Sequence, residues 1–180
     1  MRVRSALTAL ALVAGASVGV AAAPAQAATG TTAAAEATAP AAPLATKISH
    51  SQATSMFRSS GITWSSSGGC SDRSTPTCTS FEQLNLATAQ GAQTLKSASG
   101  CALNITGGTE TGHAGGTYSH WNGYKLDYSV STCVNNYVTG NFAYIGVRGD
   151  GAPMYQSGSG NIYAREGNHW DVTYYNCGGC

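Results

Sequence analysis

Charge is scarce in this sequence. Lys, Arg, Asp and Glu make up 9% of its 180 residues, and the net charge is +1. Electrostatic binding to nucleic acid or to an anionic membrane needs clustered Lys and Arg, and no such run occurs. Long apolar runs are missing beyond the N-terminal stretch, and a membrane helix needs about 20 predominantly apolar residues. Beyond the N-terminal apolar stretch, where Gly15-Ala-Ser17-Val-Gly19 falls, no G-x-S-x-G segment is present, and no serine has a Ser-His-Asp pattern around it. There is no internal repeat. These absences set aside nucleic-acid binding, a membrane span and serine-hydrolase chemistry.

The N-terminus is patterned differently. Met1-Arg-Val-Arg4 is basic, Ala6 to Val20 is small and apolar, and Ala25-Gln26-Ala27 is an A-x-A site. This order predicts a secretory signal peptide over residues 1–27 and a secreted, extracellular product. Losing Arg2 and Arg4 with it leaves a net charge of −1. Residues 28–46 are Ala, Thr and Pro with one charge and no aromatic ring. Such a stretch cannot bury enough apolar surface to offset its chain entropy, and is expected to be a disordered spacer or pro-segment. Residues 47–180 are the expected folded domain, of ordinary size for one domain and expected to be a monomer.

All six cysteines lie in that domain. An even count in an exported chain predicts disulfides but leaves the connectivity open. The pairing adopted here is Cys70–Cys78, Cys101–Cys133 and Cys177–Cys180. The terminal C-x-x-C has no thioredoxin-like pattern around it, so a redox role is not expected.

Periodicity predicts a short helix over Ser51–Arg58, ended by Gly61, and a short strand at Ile62–Trp64. A longer helix is predicted from a cap at Thr79 or Ser80 to Gly100. Phe81, Leu84, Thr88 and Leu95 would form its apolar side, with Glu82 in the first turn and Lys96 in the last. Cys101–Thr106 and Gly123–Val130 alternate as strands, with Tyr124, Leu126 and Tyr128 on one face and Lys125, Asp127 and Ser129 on the other. Strands are also expected at Phe142–Val147, Asn161–Ala164 and His169–Tyr175. The fold class is therefore α+β: a small antiparallel sheet packed against one or two main helices and stapled by disulfides.

With so few carboxylates, their positions carry information. Ser119-His120-Trp121-Asn122-Gly123-Tyr124-Lys125-Leu126-Asp127 and Glu166-Gly167-Asn168-His169 place two of the four histidines beside two acids at the edges of short strands. Catalytic zinc takes three ligands from His, Asp or Glu and leaves a position open for water. Zinc lowers that water's pKa to about 7, and a nearby carboxylate that does not bind the metal can carry the proton. Taken singly, each of these residues reads more simply as a surface or hydrogen-bonding group.

Their spacing resembles that of the zinc D-alanyl-D-alanine carboxypeptidases, the VanY-like peptidoglycan peptidases and their endopeptidase relatives. Ser119-His120-x-x-Gly123-x-x-x-Asp127 is similar to the family segment S-x-H-x-x-G-x-x-x-D, with the serine one position closer. Glu166-x-x-His169, about forty residues on and followed by Trp170, is similar to its E-x-x-H motif. The resemblance covers about residues 79–175. It implies one zinc ion in a cleft, held by His120, Asp127 and His169, with Glu166 as general base and then general acid. It also implies peptidoglycan stem peptides as the substrate, cut by a carboxypeptidase or an endopeptidase. The family usually carries an arginine after the S-G turn, and Gly107-Gly108-Thr109-Glu110-Thr111-Gly112-His113 has none. Arg148, Arg165 and His113 are the candidates to replace it.

His113, Trp170 and Ser119 are expected to touch substrate. Glu110 could support a ligand histidine, Asp171 should share a strand face with His169, and His50 is expected at the surface. Two other function classes stay open: a zinc-retaining binding or signalling module, as in hedgehog-type domains, and a metal-free, disulfide-stapled structural protein.

Overall fold

A computed structural model describes residues 45–175. The expected signal peptide and spacer lie outside this range except for residues 45 and 46, and the Cys177–Cys180 pair lies wholly outside it. The fold is α+β. In chain order the elements are β1 (Lys47–Ile48), α1 (His50–Ser59), β2 (Thr63–Trp64), β3 (Leu84–Asn85), α2 (Leu86–Ser99), β4 (Asn104–Gly107) and β5 (Lys125–Ser129). They continue with α3 (Thr132–Asn141), β6 (Ala143–Val147), β7 (Pro153–Gln156), β8 (Ile162–Arg165) and β9 (His169–Thr173). Among the described residues no helix is long and apolar enough to cross a membrane.

Seven strands form one sheet in the order β2-β4-β5-β9-β8-β7-β6, while β1 and β3 pair separately. The sheet is mixed rather than wholly antiparallel, because β2 runs parallel to β4. Leu126, Tyr128, Trp170 and Val172 point from the central strands β5 and β9 into the core, where they meet Phe57, Phe81, Leu84, Ile105 and Tyr174. The opposite face of β5 and β9 carries Lys125, Asp127, His169 and Asp171, the polar half of the period-two pattern.

The first helix is close to expectation. Ser49 caps α1 through a capping box with Gln52, and Ala53 and Phe57 bury one side. The second begins later than the spacing predicts. Gln83 has φ 64°, which no helix interior tolerates. Residues 81–84 form a turn closed by Leu84 N–H to the Phe81 carbonyl at 3.1 Å. Phe81 and Leu84 are therefore core residues ahead of the helix. Asn85 stands at the N-cap, no acid occupies the first turn, and Gly100 ends the helix in the left-handed region. Glu82 instead accepts from the His50 backbone N–H. His50 is half-buried rather than a surface residue, and its Nδ1 accepts from Phe81 N–H at 3.0 Å.

Helix α3 and strand β7 are structure that the patterning did not predict. Ser131 caps α3 through the Val134 N–H, and Val134 and Val138 bury one side of it. Strand β4 starts at Asn104, three residues later than expected. Two expected disulfides are present: Cys70–Cys78 closes a short loop, and Cys101–Cys133 ties the segment before β4 to the start of α3.

Candidate metal centre

The polar face of β5 and β9 opens into a cleft of about 620 Å³, lined by His113, His120, Asp127, Glu166, His169 and Asp171 together with Lys125, Arg148 and Asp150. Its floor is set by glycines. Gly107 pairs with Asp127 across the β4–β5 ladder. A Cβ on Gly107 would lie 2.4 Å from Asp127 Oδ2, so only glycine leaves room for that carboxylate. Gly123 has φ 75° and passes so close to the Gln83 carbonyl that a Cβ would lie 2.5 Å from it. Its N–H closes the turn onto the His120 carbonyl at 2.7 Å, and its carbonyl accepts from Asn85 N–H. The H-x-x-G spacing thus turns the chain from His120 into β5. Ser119 serves the same turn: it is buried, and its Oγ accepts from Asn122 N–H at 3.2 Å. That places it in the turn rather than among the residues lining the cleft.

His120 is 4% exposed and Asp127 6%. His120 Nδ1 lies 2.7 Å from the Gly108 carbonyl, which only accepts, so Nδ1 carries the proton and Nε2 faces Asp127 Oδ1 at 3.3 Å. His169 is arranged similarly. Its Nδ1 lies 2.8 Å from Asn168 Oδ1, and its Nε2 lies 3.6 Å from the same Asp127 oxygen. Asp127 Oδ1 is buried and has no hydrogen-bond partner among the described residues. Two ring nitrogens with lone pairs around a bare carboxylate oxygen would repel unless positive charge sits between them.

The electrostatics of the pair point the same way. Burial pulls the His120 pKa down, but the adjacent Asp127 carboxylate, with help from Asp171 and the Gly108 carbonyl, outweighs it and raises the pKa. Burial pushes Asp127 up, and the contacts with His120 and the charges of His169 and His113 hold it below the usual range. Four carboxylates lining the cleft (Asp127, Asp150, Glu166, Asp171) face only two permanent cations, Lys125 and Arg148. A divalent cation would balance the remainder.

His113 also lines the cleft. It stacks on His120 with ring centroids 3.8 Å apart, and its Nδ1 lies 3.7 Å from the other Asp127 oxygen, Oδ2. One donor atom each from His113, His120 and Asp127 fall within 4.8 Å of one another, which makes this trio able to hold a metal ion; among the described residues this is the one such group, and the expected ligand His169 is not in it. Glu110 fixes His113 by accepting from its Nε2 at 3.1 Å. The Glu110 carboxylate is buried and also accepts from the backbone N–H groups of Ser80 and Gly108. Burial raises its pKa, but these bonds, led by that from His113, bring it below the ordinary value. Glu110 therefore supports a histidine of the cluster, and that histidine is His113. The signal for the dyad was its spacing, His113 following Glu110 by three residues in a glycine loop.

Glu166 lies in the turn between β8 and β9. Its Oε2 is 3.4 Å from His169 Nε2, and its Oε1 accepts from Arg148 Nη2. Arg148, at the tip of the β6–β7 hairpin, also bonds Asp150 and reaches Asp171 Oδ2 at 2.8 Å. These acids raise its pKa, the Asp150 hydrogen bond most. Of the candidates to replace the missing arginine, Arg148 and His113 line the cleft. Arg165 does not; its guanidinium caps the carbonyls of Glu166, Gly167 and His169. Trp170 also lies outside the cleft. It is 1% exposed and donates from Nε1 to Asn135 Oδ1 at 2.8 Å, because neighbours along a strand face opposite sides and His169 takes the cleft side. No family model, no curated protein and no solved structure matches this chain.

Proposed function

We propose that the protein is a secreted metallopeptidase with one zinc ion held by His120, Asp127 and His169. The observation that carries this reading is the bare, buried Asp127 Oδ1 between two imidazole nitrogens whose outer nitrogens are both engaged with oxygen acceptors. The residues suit such an ion: two imidazoles and one carboxylate, with outer hydrogen bonds fixing the rings, are a donor set of catalytic zinc sites. When bound, the ion supplies Lewis acidity and lowers the pKa of water at its open position.

The chain's own groups do the rest. Glu166 borders the cleft beside His169 and is not needed as a ligand, so it takes the proton from the attacking water and returns it to the leaving amine. Arg148 orients Glu166 through Oε1 and leaves Oε2 on the His169 side. The substrate class, bacterial wall stem peptides, rests on the ordered H-x-x-G-x-x-x-D and E-x-x-H motifs. The Glu166→Ala protein should keep its metal and lose hydrolysis of wall fragments by about 10²-fold or more. Retained hydrolysis in that variant refutes the mechanism.

One observation favours the zinc-retaining module instead. His113 Nδ1 stands 3.7 Å from Asp127 Oδ2, and as a protein ligand it would take the position that water needs, as happens in structural zinc sites. Under that reading the wild-type protein binds zinc and leaves every wall fragment intact.

A further inference from the structure

Asp171 is the one acid at the centre of the cleft to which neither the motifs nor the proton-transfer scheme gives a role. It sits directly across the β5–β9 ladder from Asp127. Like charges facing each other across a ladder are destabilising, and both are buried, at 6% and 7% exposure. Asp171 Oδ2 is fully engaged, accepting from Lys125 Nζ at 2.7 Å and Arg148 Nη1 at 2.8 Å. Those two bonds fix the rotation of the carboxylate. Oδ1 is left buried and without a hydrogen-bond partner among the described residues, 3.8 Å from His120 Nε2.

The two carboxylates therefore share a pattern. Each turns a bare, buried Oδ1 toward His120 Nε2. The atoms meeting there lie 3.3 Å (Asp127) and 3.8 Å (Asp171) from that nitrogen. Donors bonded to one ion at about 2.0–2.2 Å stand roughly 3–4 Å apart. His113 approaches the other side of Asp127, at Oδ2.

We propose that Asp171 is a further ligand of the same cation, donating through Oδ1 and held in place by Lys125 and Arg148. This rests on the metal-centre reading above and extends it: the site becomes two imidazoles and two carboxylates, and water would enter as a fifth group, a coordination number that catalytic zinc can reach. The second carboxylate explains why β9 carries a buried acid opposite another, and why two cations are spent on one of its oxygens. An oxygen-rich set of this kind also binds hard divalent ions, such as manganese, better than a single-carboxylate site would.

The test is metal affinity, read by competition with a chromophoric chelator on the full chain. Asp171→Asn should weaken zinc binding by about 10-fold or more. Asp150→Asn, which removes the same charge from the cleft rim, should leave affinity within about twofold. Unchanged affinity in Asp171→Asn, or an equal loss in both variants, overturns the proposal while leaving the metal centre standing. A wild-type protein that binds no zinc refutes the reading beneath it. If Asp171→Asn does not fold, cobalt-loaded Asp171→Glu decides: a shifted visible spectrum is expected, and a wild-type spectrum overturns the assignment.

Discussion

His120 and Glu166 face the same cleft from walls that are built in different ways. On the His120 side the groups are buried and held by backbone. Gly108 accepts from the ring, Gly107 clears space for Asp127, and Glu110 takes two main-chain N–H groups. On the Glu166 side the groups, apart from the buried Asp171, are partly exposed, and they are held by ion pairs. Arg148 gathers Asp150, Glu166 and Asp171 from a hairpin tip, and His169 leans on the neighbouring Asn168 side chain. The wall fixed by backbone bonds carries His120 and Asp127, ligands that must hold their geometry whether or not the ion is bound, while His169 and Asp171 reach the ion from the other wall. A wall held by side-chain pairs suits a proton carrier, which must move.

This division is open to attack, first where the expected effect is greatest. Glu166→Gln should lower turnover by about 10²- to 10⁴-fold while leaving the thermal midpoint and metal content at wild-type values. A large drop in the midpoint would place Glu166 in the structural wall and erase the contrast. Next comes Gly107→Ala. Its new methyl would drive into Asp127, so zinc affinity should fall by about 10- to 100-fold, as it does when a ligand's support is lost. Overpacking should also cost about 1–3 kcal/mol of stability. Unaltered zinc affinity would show that the glycine does not set the carboxylate.

Glu110 tests the same wall through pH. Its folded pKa lies below the ordinary value of 4.5. Its contribution to stability is therefore complete above that value and disappears as pH falls through the depressed one. Between neutral pH and about pH 3, Glu110→Gln should show a shallower loss of urea midpoint than wild type. At neutral pH it should be less stable by about 1–3 kcal/mol, because buried N–H donors lose a charged acceptor. Parallel pH curves for the two proteins would remove Glu110 from the wall.

How much of this was legible in the sequence follows the same line. The alternation over residues 124–129 correctly put Lys125 and Asp127 on one face and Leu126 and Tyr128 on the other. The same rule, applied to β9, puts His169 and Asp171 on the cleft side and Trp170 in the core; Trp170 was misplaced because an aromatic beside a motif suggested a cleft. Helix α3 was hidden because Val, Thr, Asn and Gly are poor helix formers. The Ser131 cap, two buried valines and the Cys101–Cys133 bond outweigh that preference. The start of α2 was misjudged because Phe81 and Leu84 keep a helical spacing while Gln83 adopts a left-handed conformation that no spacing reveals. The Glu110–His113 contact could be suspected but not assigned, since the loop's path, not its composition, brings His113 over His120.

The smallest effect is expected at Arg148, and it sharpens the comparison most. Arg148 links Glu166 to Asp171, the residue that faces Asp127 across the ladder and so adjoins the other wall. If its main duty is to orient the proton carrier, Arg148→Ala should reduce kcat by about 10- to 100-fold, as a modest misplacement of a reacting group does. Its effect on zinc affinity should be smaller, because Lys125 still holds Asp171 Oδ2. Arg148→Lys should recover part of the loss, since one ammonium can hold Glu166 but cannot span three acids as the guanidinium does. The double variant Arg148→Ala, Lys125→Met should then lower zinc affinity as Asp171→Asn does, because nothing is left to fix the Asp171 carboxylate. Zinc affinity that falls fully in Arg148→Ala alone would mean that the two walls are one unit joined through this guanidinium.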